Sequence, residues 1–597
     1  MTEEQKTSLS SERAAGRWMP WALAAIAVFV LSFQLGAREL SSPDETRYAA
    51  ISRSMLETGD WLTPVHNFKF KHFHKPPLTY WCMATSFRVL GYNDWAARVP
   101  SAAAALAAVL GVYVIGRVLH GPRAGFLAGL VLLASPLFFV LARIANSDML
   151  LCAFITWSWI GFVQSLFGER RRTVWFLIGA LCAGLGFMTK GPVVLMATFV
   201  PMVLYVWVTA QWKRIHWWWW LAAVGVFLVV ALPWYIVVSL ENLGLFRYFV
   251  EYQTVQRLTT DIHERAMPIW FFFFLVPAGF LPWTVAVPFG IRAGLRRRVQ
   301  GVQSRRLRLF LPLTWLVVVF VFITFSTSKL ATYCLPLFPA LALIAGRFVA
   351  RAFENGHASR SATNVLMGTA LVLLVMAGLV AMFRPSAGPG SDVDWVTVVH
   401  LVSAVSMFLI GLGAILALSR RRVAIGTCCL MAAILYPLLY GAWAVGGHEK
   451  SFGIGNAGSE FAALIREREG TGDFEEVTTV MYRRYLMEVP YYLGHSVMCL
   501  DCDIELGYER PDGESVSFYT PEERDALYDG YYRENGRRQL EAMMRLTSRR
   551  LLVITDRASY DDISTAFVLH GEPLVHLIAE AGEFVLCSNH PDSPPDE

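Results

Sequence analysis

Charge is what this chain has least of. Only 17% of its 597 residues are Asp, Glu, Lys or Arg, whereas soluble domains carry about 25%. With 55% hydrophobic residues, 20 Trp, 39 Phe and a mean hydropathy of +0.44, this shortage excludes a purely water-soluble chain. Most of it is solvated by lipid. The nine cysteines make no disulfide framework. Cys82, Cys152, Cys182, Cys334, Cys428 and Cys429 lie in or beside apolar runs, where a free thiol acts as a small buried hydrophobe. Cys499 and Cys502 form a lone CxxC, with Cys587 far downstream. Without a second pair or histidines at ligand spacing this is not a zinc site, and it reads as structural rather than redox. No basic arm and no basic strand carrying aromatics is present, which argues against nucleic acid as a partner. No GxxxxGK[ST] phosphate loop occurs, so no nucleotide cofactor is expected, and no long-period repeat is seen. The first apolar run lacks a small-residue cleavage site before Ser41 and reads as a retained span.

What is abundant is apolar sequence in blocks. Thirteen stretches approach the roughly 20 residues needed to cross a bilayer: 18–37, 95–116, 123–142, 149–167, 174–189, 192–210, 217–238, 269–291, 309–326, 333–350, 363–383, 396–418 and 423–445. Every second loop is basic: Arg117 to Arg123, Glu169 to Arg172, Lys213-Arg214, Arg292 to Arg308, Arg347 to Arg360, and Arg420 to Arg422. By the positive-inside rule these loops are cytoplasmic. The expected organisation is a cytoplasmic tail at 1–17, a membrane domain at 18–445, and a periplasmic α/β domain at 446–597. In the last, helix is expected at 459–469 and strands at 477–481, 550–556 and 583–588, with a disordered tail from Asn589.

Two outer loops break the pattern. Residues 38–94 carry Arg47, Arg53, Lys69, Lys71, Lys75 and Arg88 with Asp44, Glu45 and Asp60. Residues 239–268 carry Arg247, Glu251, Arg257, Asp261, His263, Glu264 and Arg265. Arg143, Asp148, Lys190 and Lys329 sit at predicted outer span ends. Ionisable groups at such depth are costly and usually functional, and cations gathered with a few acids at one face suit a phosphate-bearing ligand. The first loop opens with Ser42-Pro43-Asp44-Glu45-Thr46-Arg47-Tyr48. That pattern also starts an ordinary helix, and Thr520-Pro521-Glu522-Glu523 repeats it where no chemistry is expected. Further on, Phe73-His74-Lys75-Pro76-Pro77 fixes Lys75 by a stiff double proline. A phosphate contact there outweighs a merely snorkelling lysine.

The motifs DETRYA, KPPLTYW, AARVPS (96–101), the Asp of ANSDMLL, TKGP (189–192), PWY (233–235), PW (282–283) and SKLATYCLPLFP (328–339) together resemble the 4-amino-4-deoxy-L-arabinose lipid A transferase family, related to protein O-mannosyltransferases in the GT-C class. The resemblance covers roughly residues 15–350. It implies a polytopic GT-C membrane enzyme that transfers a sugar of aminoarabinose or hexose type from a polyprenyl-phosphate carrier. The acceptor would be lipid A, another glycolipid or a protein at the outer face of a bacterial inner membrane. It also makes Asp44 the acid that activates or orients the acceptor, with Asp148 as a second acid. Glu45, Arg47, Tyr48, Lys75, Lys190, Lys329 and Tyr333 would bind substrate, the lysines holding the donor phosphate. Where the family commonly has Glu before the KPP lysine, this chain has His74. Paired with His263 in DIHERAMPIW, it gives a reduced prospect of a divalent metal site. The competing reading is a transporter or flippase of a phosphate-bearing lipid, but its charges would sit at mid-membrane rather than gather at one face. A non-catalytic lipid-binding protein would need no acid beside the phosphate clamp.

Overall fold

Runs of Ala, Leu, Val and Phe give the backbone no side-chain partners, so in lipid each N–H and C=O is satisfied within a helix. That is what these stretches form in the computed structural model. It describes residues 3–41, 43–168, 170–242, 244–256, 267–295, 302–353, 360–382, 393–420, 422–447, 457–469, 477–502, 507–509, 515–517, 532–533, 536–545, 550–569 and 572–590. From the N-terminus the chain forms α1 (Glu3–Ser32), α2 (Asp44–Thr58), the hairpin β1 (Val65–His66) and β2 (Phe70–Lys71), α3 (Leu78–Leu90), α4 (Asp94–His120), α5 (Pro122–Leu133), α6 (Pro136–Ala142), α7 (Ser147–Phe167) and α8 (Arg172–Lys190). It packs as two compact units. One comprises Met1–Arg38, Arg98–Pro233 and Gln253–Gly453; the other comprises Glu39–Ala97, Trp234–Tyr252 and Ile454–Glu597.

The first unit is helical. Among the described residues seven helices are long and apolar enough to cross a membrane, or up to ten if each of three bent pairs is one span. Gly16–Ser32, Val193–Val208 and Thr363–Gly378 are shorter apolar helices. The bent pairs occupy the stretches 123–142, 217–238 and 269–291 read as spans. They turn by 70° between α5 and α6, by 41° between Trp217–Ala231 and Pro233–Glu241, and by 109° between Phe271–Gly279 and Trp283–Leu295. Pro136, Pro233 and Pro282 stand at the breaks, each removing a backbone donor from the ladder. Outward-facing side chains such as Trp217, Leu221 and Val229 are apolar and exposed, as expected where the solvent is lipid. At the centre, Trp159 of α7 stacks on Trp315 with ring centroids 4.9 Å apart. A Cβ on Gly161 would lie 2.4 Å from the Trp175 carbonyl oxygen and 2.5 Å from the Gly179 nitrogen. Only glycine therefore lets α7 and α8 meet backbone to backbone.

The second unit is built on a six-stranded sheet. After β3 (Val477–Tyr482) and β4 (Met498–Leu500) come a small ladder of β5 (Gly507–Glu509) and β6 (Ser515–Ser517), then β7 (Tyr532–Arg533) and β8 (Arg550–Asp556). A second small ladder of β9 (Val568–Leu569) and β10 (Glu572–Pro573) precedes β11 (His576–Ala581) and β12 (Phe584–Ser588). The order is β11-β12-β8-β3-β4-β7, parallel from β8 to β7 and antiparallel at the β11-β12-β8 edge. The three expected strands are β3, β8 and β12, and the expected helix is Ala457–Glu469. One face packs Val480, Tyr482, Leu500, Val553 and Cys587 on Leu540, Met544, Ile563 and Phe567.

This unit is larger than the 446–597 segment marked by composition, because parts of both outer loops pack with it. Asn67 accepts the Val497 N–H at 2.8 Å and donates to its carbonyl at 2.7 Å. Arg53 donates to the Tyr491 carbonyl, and Ser459 donates to Glu39 at 2.7 Å. The Trp234 indole donates to the Leu62 carbonyl at 2.9 Å. The outer loops contain helices, α2 and α3 in the first, Leu245–Arg247 and Tyr248–Gln256 in the second. Residues 257–266, with His263, and the Thr520–Glu523 pattern lie outside the described residues.

Candidate active site

In the first unit, Asp148 and Lys190 meet at the ends of two packed helices. Asn146 precedes α7 and its side chain accepts the Asp148 N–H at 3.0 Å, so the carboxylate sits at the positive end of a helix dipole. Lys190 is the last residue of α8, at the negative end, before Gly191. Lys190 Nζ makes an ion pair with Asp148 Oδ1, each side chain 12% exposed. The same ammonium lies 4.5 Å from the centroid of the Tyr333 ring. Three residues singled out in the sequence thus form one group around a largely buried ion pair, and such a pair among apolar helices is a functional-site candidate. Lys329 is buried and donates to the carbonyls of Ser326 at 2.5 Å and Met267 at 3.0 Å. Arg98, in the AARVPS motif, is 1% exposed and donates to the Leu35 and Arg38 carbonyls at 3.1 and 2.5 Å. It was not read as functional, and it ties α4 to the end of α1.

In the second unit the first loop gathers its own group. The acids of α2 do start a helix, as the ordinary reading has it, but they divide the work. Asp44 is 62% exposed and pairs with Arg47 at 2.5 Å. Glu45 is wholly buried and accepts the Ser41 N–H at 3.0 Å and hydroxyl at 2.8 Å. Glu45 therefore holds the helix start, and Ser42 lies outside the described residues. Tyr48 is buried against Tyr80, ring centroids 5.4 Å apart.

His66 and His72, neighbours of the singled-out His74, are the part sequence reasoning missed. His66 and His72 are buried, and His72 lies 5.6 Å from His66 and 4.3 Å from His74, by ring centroids. His74 lies 6.4 Å from Tyr248 of the second outer loop. The spacing of His72 and His74 in HFHK was the available signal, since alternate residues of an extended segment share a side. His66 Nδ1 is 2.8 Å from the Tyr485 hydroxyl, and His72 Nε2 is buried with no hydrogen-bond partner. Burial, then the neighbouring His74 and Arg47, push His66 down to about 3. Burial, then His74, His66, Arg47 and Lys75, push His72 well below the usual imidazole range. Both rings are therefore neutral in a positive field made by Arg47 and Lys75, which favours an anion. Among the described residues no three His, Cys, Asp or Glu are arranged to hold a metal ion, and His263 lies outside them.

Three comparisons bear on this geometry. A sequence profile described as dolichyl-phosphate-mannose-protein mannosyltransferase matches residues 74–236. The undecaprenyl phosphate-alpha-4-amino-4-deoxy-L-arabinose arabinosyl transferase of Edwardsiella ictaluri is 33% identical over 370 residues, 60% of this chain and 65% of the relative. A Proteus mirabilis enzyme of the same name, numbered 2, is 29% identical over 390 residues, 63% of this chain and 68% of the relative. The crystal structure of ArnT from Cupriavidus metallidurans bound to undecaprenyl phosphate superposes with a TM-score of 0.75 at 24% identity, covering 95% of this chain and 97% of that one. The fold is ArnT-like. The resemblance read from the motifs holds in sequence and in architecture, and the GT-C helical class with a C-terminal α/β part is the observed fold. The chain spans about 65% of the length of the Edwardsiella relative.

Proposed function

We propose that this protein is a membrane glycosyltransferase that moves a sugar of aminoarabinose or hexose type from a polyprenyl-phosphate carrier to lipid A or another periplasm-facing acceptor. The observation that carries the proposal is the largely buried Asp148–Lys190 ion pair with Tyr333 beside it, set in a fold shared with a protein crystallised with undecaprenyl phosphate. The relatives' names supply the donor and the sugar.

In the reaction, the acceptor oxygen forms a bond to the anomeric carbon as the carbon–oxygen bond to the carrier phosphate breaks and its electrons pass to that phosphate. Lys75, Lys190 and Lys329 stabilise the charge that develops there, and Tyr333 lines the same group. Asp44 meets the acceptor: it removes the proton of a hydroxyl acceptor or orients an already ionised phosphate. Arg47 holds its carboxylate at 2.5 Å. Asp148 holds Lys190 in place. Arg47 and Tyr48 of α2 are proposed to bind substrate, and Glu45 holds the start of that helix. His74 is retained as one prospective ligand of a divalent ion with His263, but two imidazoles are an incomplete set, so no step is assigned to a metal. The flippase reading is disfavoured, since Asp148 and Lys190 occupy helix ends rather than mid-helix positions.

Support for an inner-membrane location with the second unit in the periplasm comes from the basic loops. Arg308 donates to the Leu119 carbonyl at 2.9 Å, Arg172 to the Arg214 carbonyl at 3.4 Å, and His120 lies within electrostatic range of Arg347, Arg308 and Arg351. The loops read as cytoplasmic thus meet at one end of the first unit. The decisive test incubates purified protein with the polyprenyl-phosphate sugar and lipid A and follows the mass of the lipid A. Lipid A that gains no sugar, with a carrier that stays loaded, overturns the proposal.

A further inference from the structure

The CxxC motif is the chemistry-bearing feature that transferase activity leaves unused. Cys499 is the middle residue of β4, and Asp501 takes a left-handed conformation (φ 51°) that turns the chain back on itself. The two cysteines flank this turn, free and both buried at 0% and 2% exposure, and the Cys502 thiol turns back to the carbonyl of Met481, the residue in register with Cys499. Cys587 does not compete. It lies with Val480, Tyr482 and Leu500 on one sheet face, whereas Cys499, next to Leu500 along β4 and in register with Met481, points to the other.

That other face seats the first-loop hairpin. The Asn67 side chain, which grips the Val497 backbone, also donates to Cys499 Sγ at 3.5 Å. The Tyr485 hydroxyl that holds His66 lies within electrostatic range of both thiols. Beyond the hairpin turn at Asn67–Lys69, the chain runs through β2 and on past His72 and His74 to Lys75. A cross-link at 499–502 would therefore sit beneath the segment that carries the proposed phosphate lysine.

We propose that Cys499 and Cys502 are joined by a disulfide in the mature protein, a covalent turn that fixes the seat of the β1–β2 hairpin. The inference rests on the reading that the second unit faces an oxidising compartment. The oxidant is a protein or glutathione disulfide. One cysteine thiolate attacks it, forming a mixed disulfide and releasing the first thiol. The other thiolate then attacks the mixed disulfide, closing Cys499–Cys502 and releasing the second, so two protons and two electrons leave the pair. Burial disfavours the thiolate once the fold is complete, so closure belongs to the folding stage.

The test uses the full chain. Membranes are quenched in acid, denatured and alkylated with iodoacetamide, then reduced and treated with N-ethylmaleimide, and each cysteine is assigned by mass spectrometry. Cys499 and Cys502 should carry the second label together, and Cys587 the first. In the purified protein, dithiothreitol should lower Tm by about 4–8 °C, as expected for closing a very short loop in a unit of this size. The paired variant Cys499→Ser with Cys502→Ser should start at that lower Tm and ignore the reductant. Two thiols that are free in cells and still free after warming the purified protein with oxidised glutathione just below its Tm overturn the proposal. Thiols free in cells that close in the tube uphold the pairing and overturn the oxidising-side reading. A wild-type Tm indifferent to dithiothreitol removes the stabilising role.

Discussion

At the residue scale the candidate site consists of charges held by specific partners, and the partners decide what each substitution does. Lys190→Ala leaves the Asp148 carboxylate buried without its cation, a loss of about 3–5 kcal/mol. Adding Asp148→Ala should restore most of the stability, read as Tm in detergent, while sugar transfer stays lost. Transfer that returns with stability would make the pair structural only. The loop residues separate differently. In the proposed reaction Lys75 contacts the carrier phosphate in both ground and transition states, so Lys75→Ala should weaken carrier binding and slow transfer together, by about 2–3 kcal/mol. Asp44 gains nothing from an anionic donor, so Asp44→Asn should bind polyprenyl phosphate normally and transfer almost no sugar. Binding and transfer measured separately on the two purified variants check both, and an Asp44→Asn that transfers normally removes the acid's role. Asp148 and Lys190 stood out as ionisable groups at predicted span ends and Lys75 by its double proline, whereas Tyr333 entered only through the motif resemblance. Glu45 was legible only as an acid. Its inward turn toward Ser41 follows from the helix start, and composition carries no sign of it.

At the scale of elements, helices were the readable part, since lipid demands long apolar runs and the runs are plain. The bends at Pro136, Pro233 and Pro282 were written in the sequence too, but a span count by length does not weigh them. The short strands β4 and β7 have two or three residues, too few for any alternation to show. The β1–β2 hairpin was hidden because its stability comes from Asn67 and His66 reaching the C-terminal segment, contacts more than 400 residues distant in the chain. Such a seat should respond to pH. His66 is held down to about 3 in the fold, against an ordinary 6.5, so below pH 6.5 the unfolded chain binds a proton that the folded chain refuses. Its contribution is complete above pH 6.5 and is lost as pH falls, by about 2 kcal/mol at pH 5. Denaturant unfolding of the purified protein should therefore show a stability that drops from pH 7 to pH 5, with a shallower drop in His66→Phe. An equal drop in both proteins would assign the effect to other groups.

At the scale of the whole molecule, orientation links the parts. α8 begins at Arg172 and ends at Lys190, about 27 Å apart at 1.5 Å per residue, close to the thickness of a bilayer's hydrocarbon core. Arg172 belongs to the basic end, where its guanidinium reaches the Arg214 carbonyl, and Lys190 belongs to the site. α7 runs the other way, with Asp148 at its start and Phe167 at its end, and Phe167 lies under the Arg308 guanidinium at 5.8 Å. Two antiparallel helices thus each carry a basic-loop contact at one end and a site residue at the other. If the basic end is cytoplasmic by the positive-inside rule, Asp148 and Lys190 face the periplasm, where a lipid-linked donor would be used. Alkaline phosphatase fused after Glu597 should then be active, and the same reporter placed in the basic loop between Arg292 and Arg308 should be inactive. A cytoplasmic reporter should give the opposite pair of signals. High phosphatase activity from the 292–308 loop would place the basic end outside and Asp148 and Lys190 inside. The transfer reaction would then have to be sought on the cytoplasmic face, with a donor and acceptor present there.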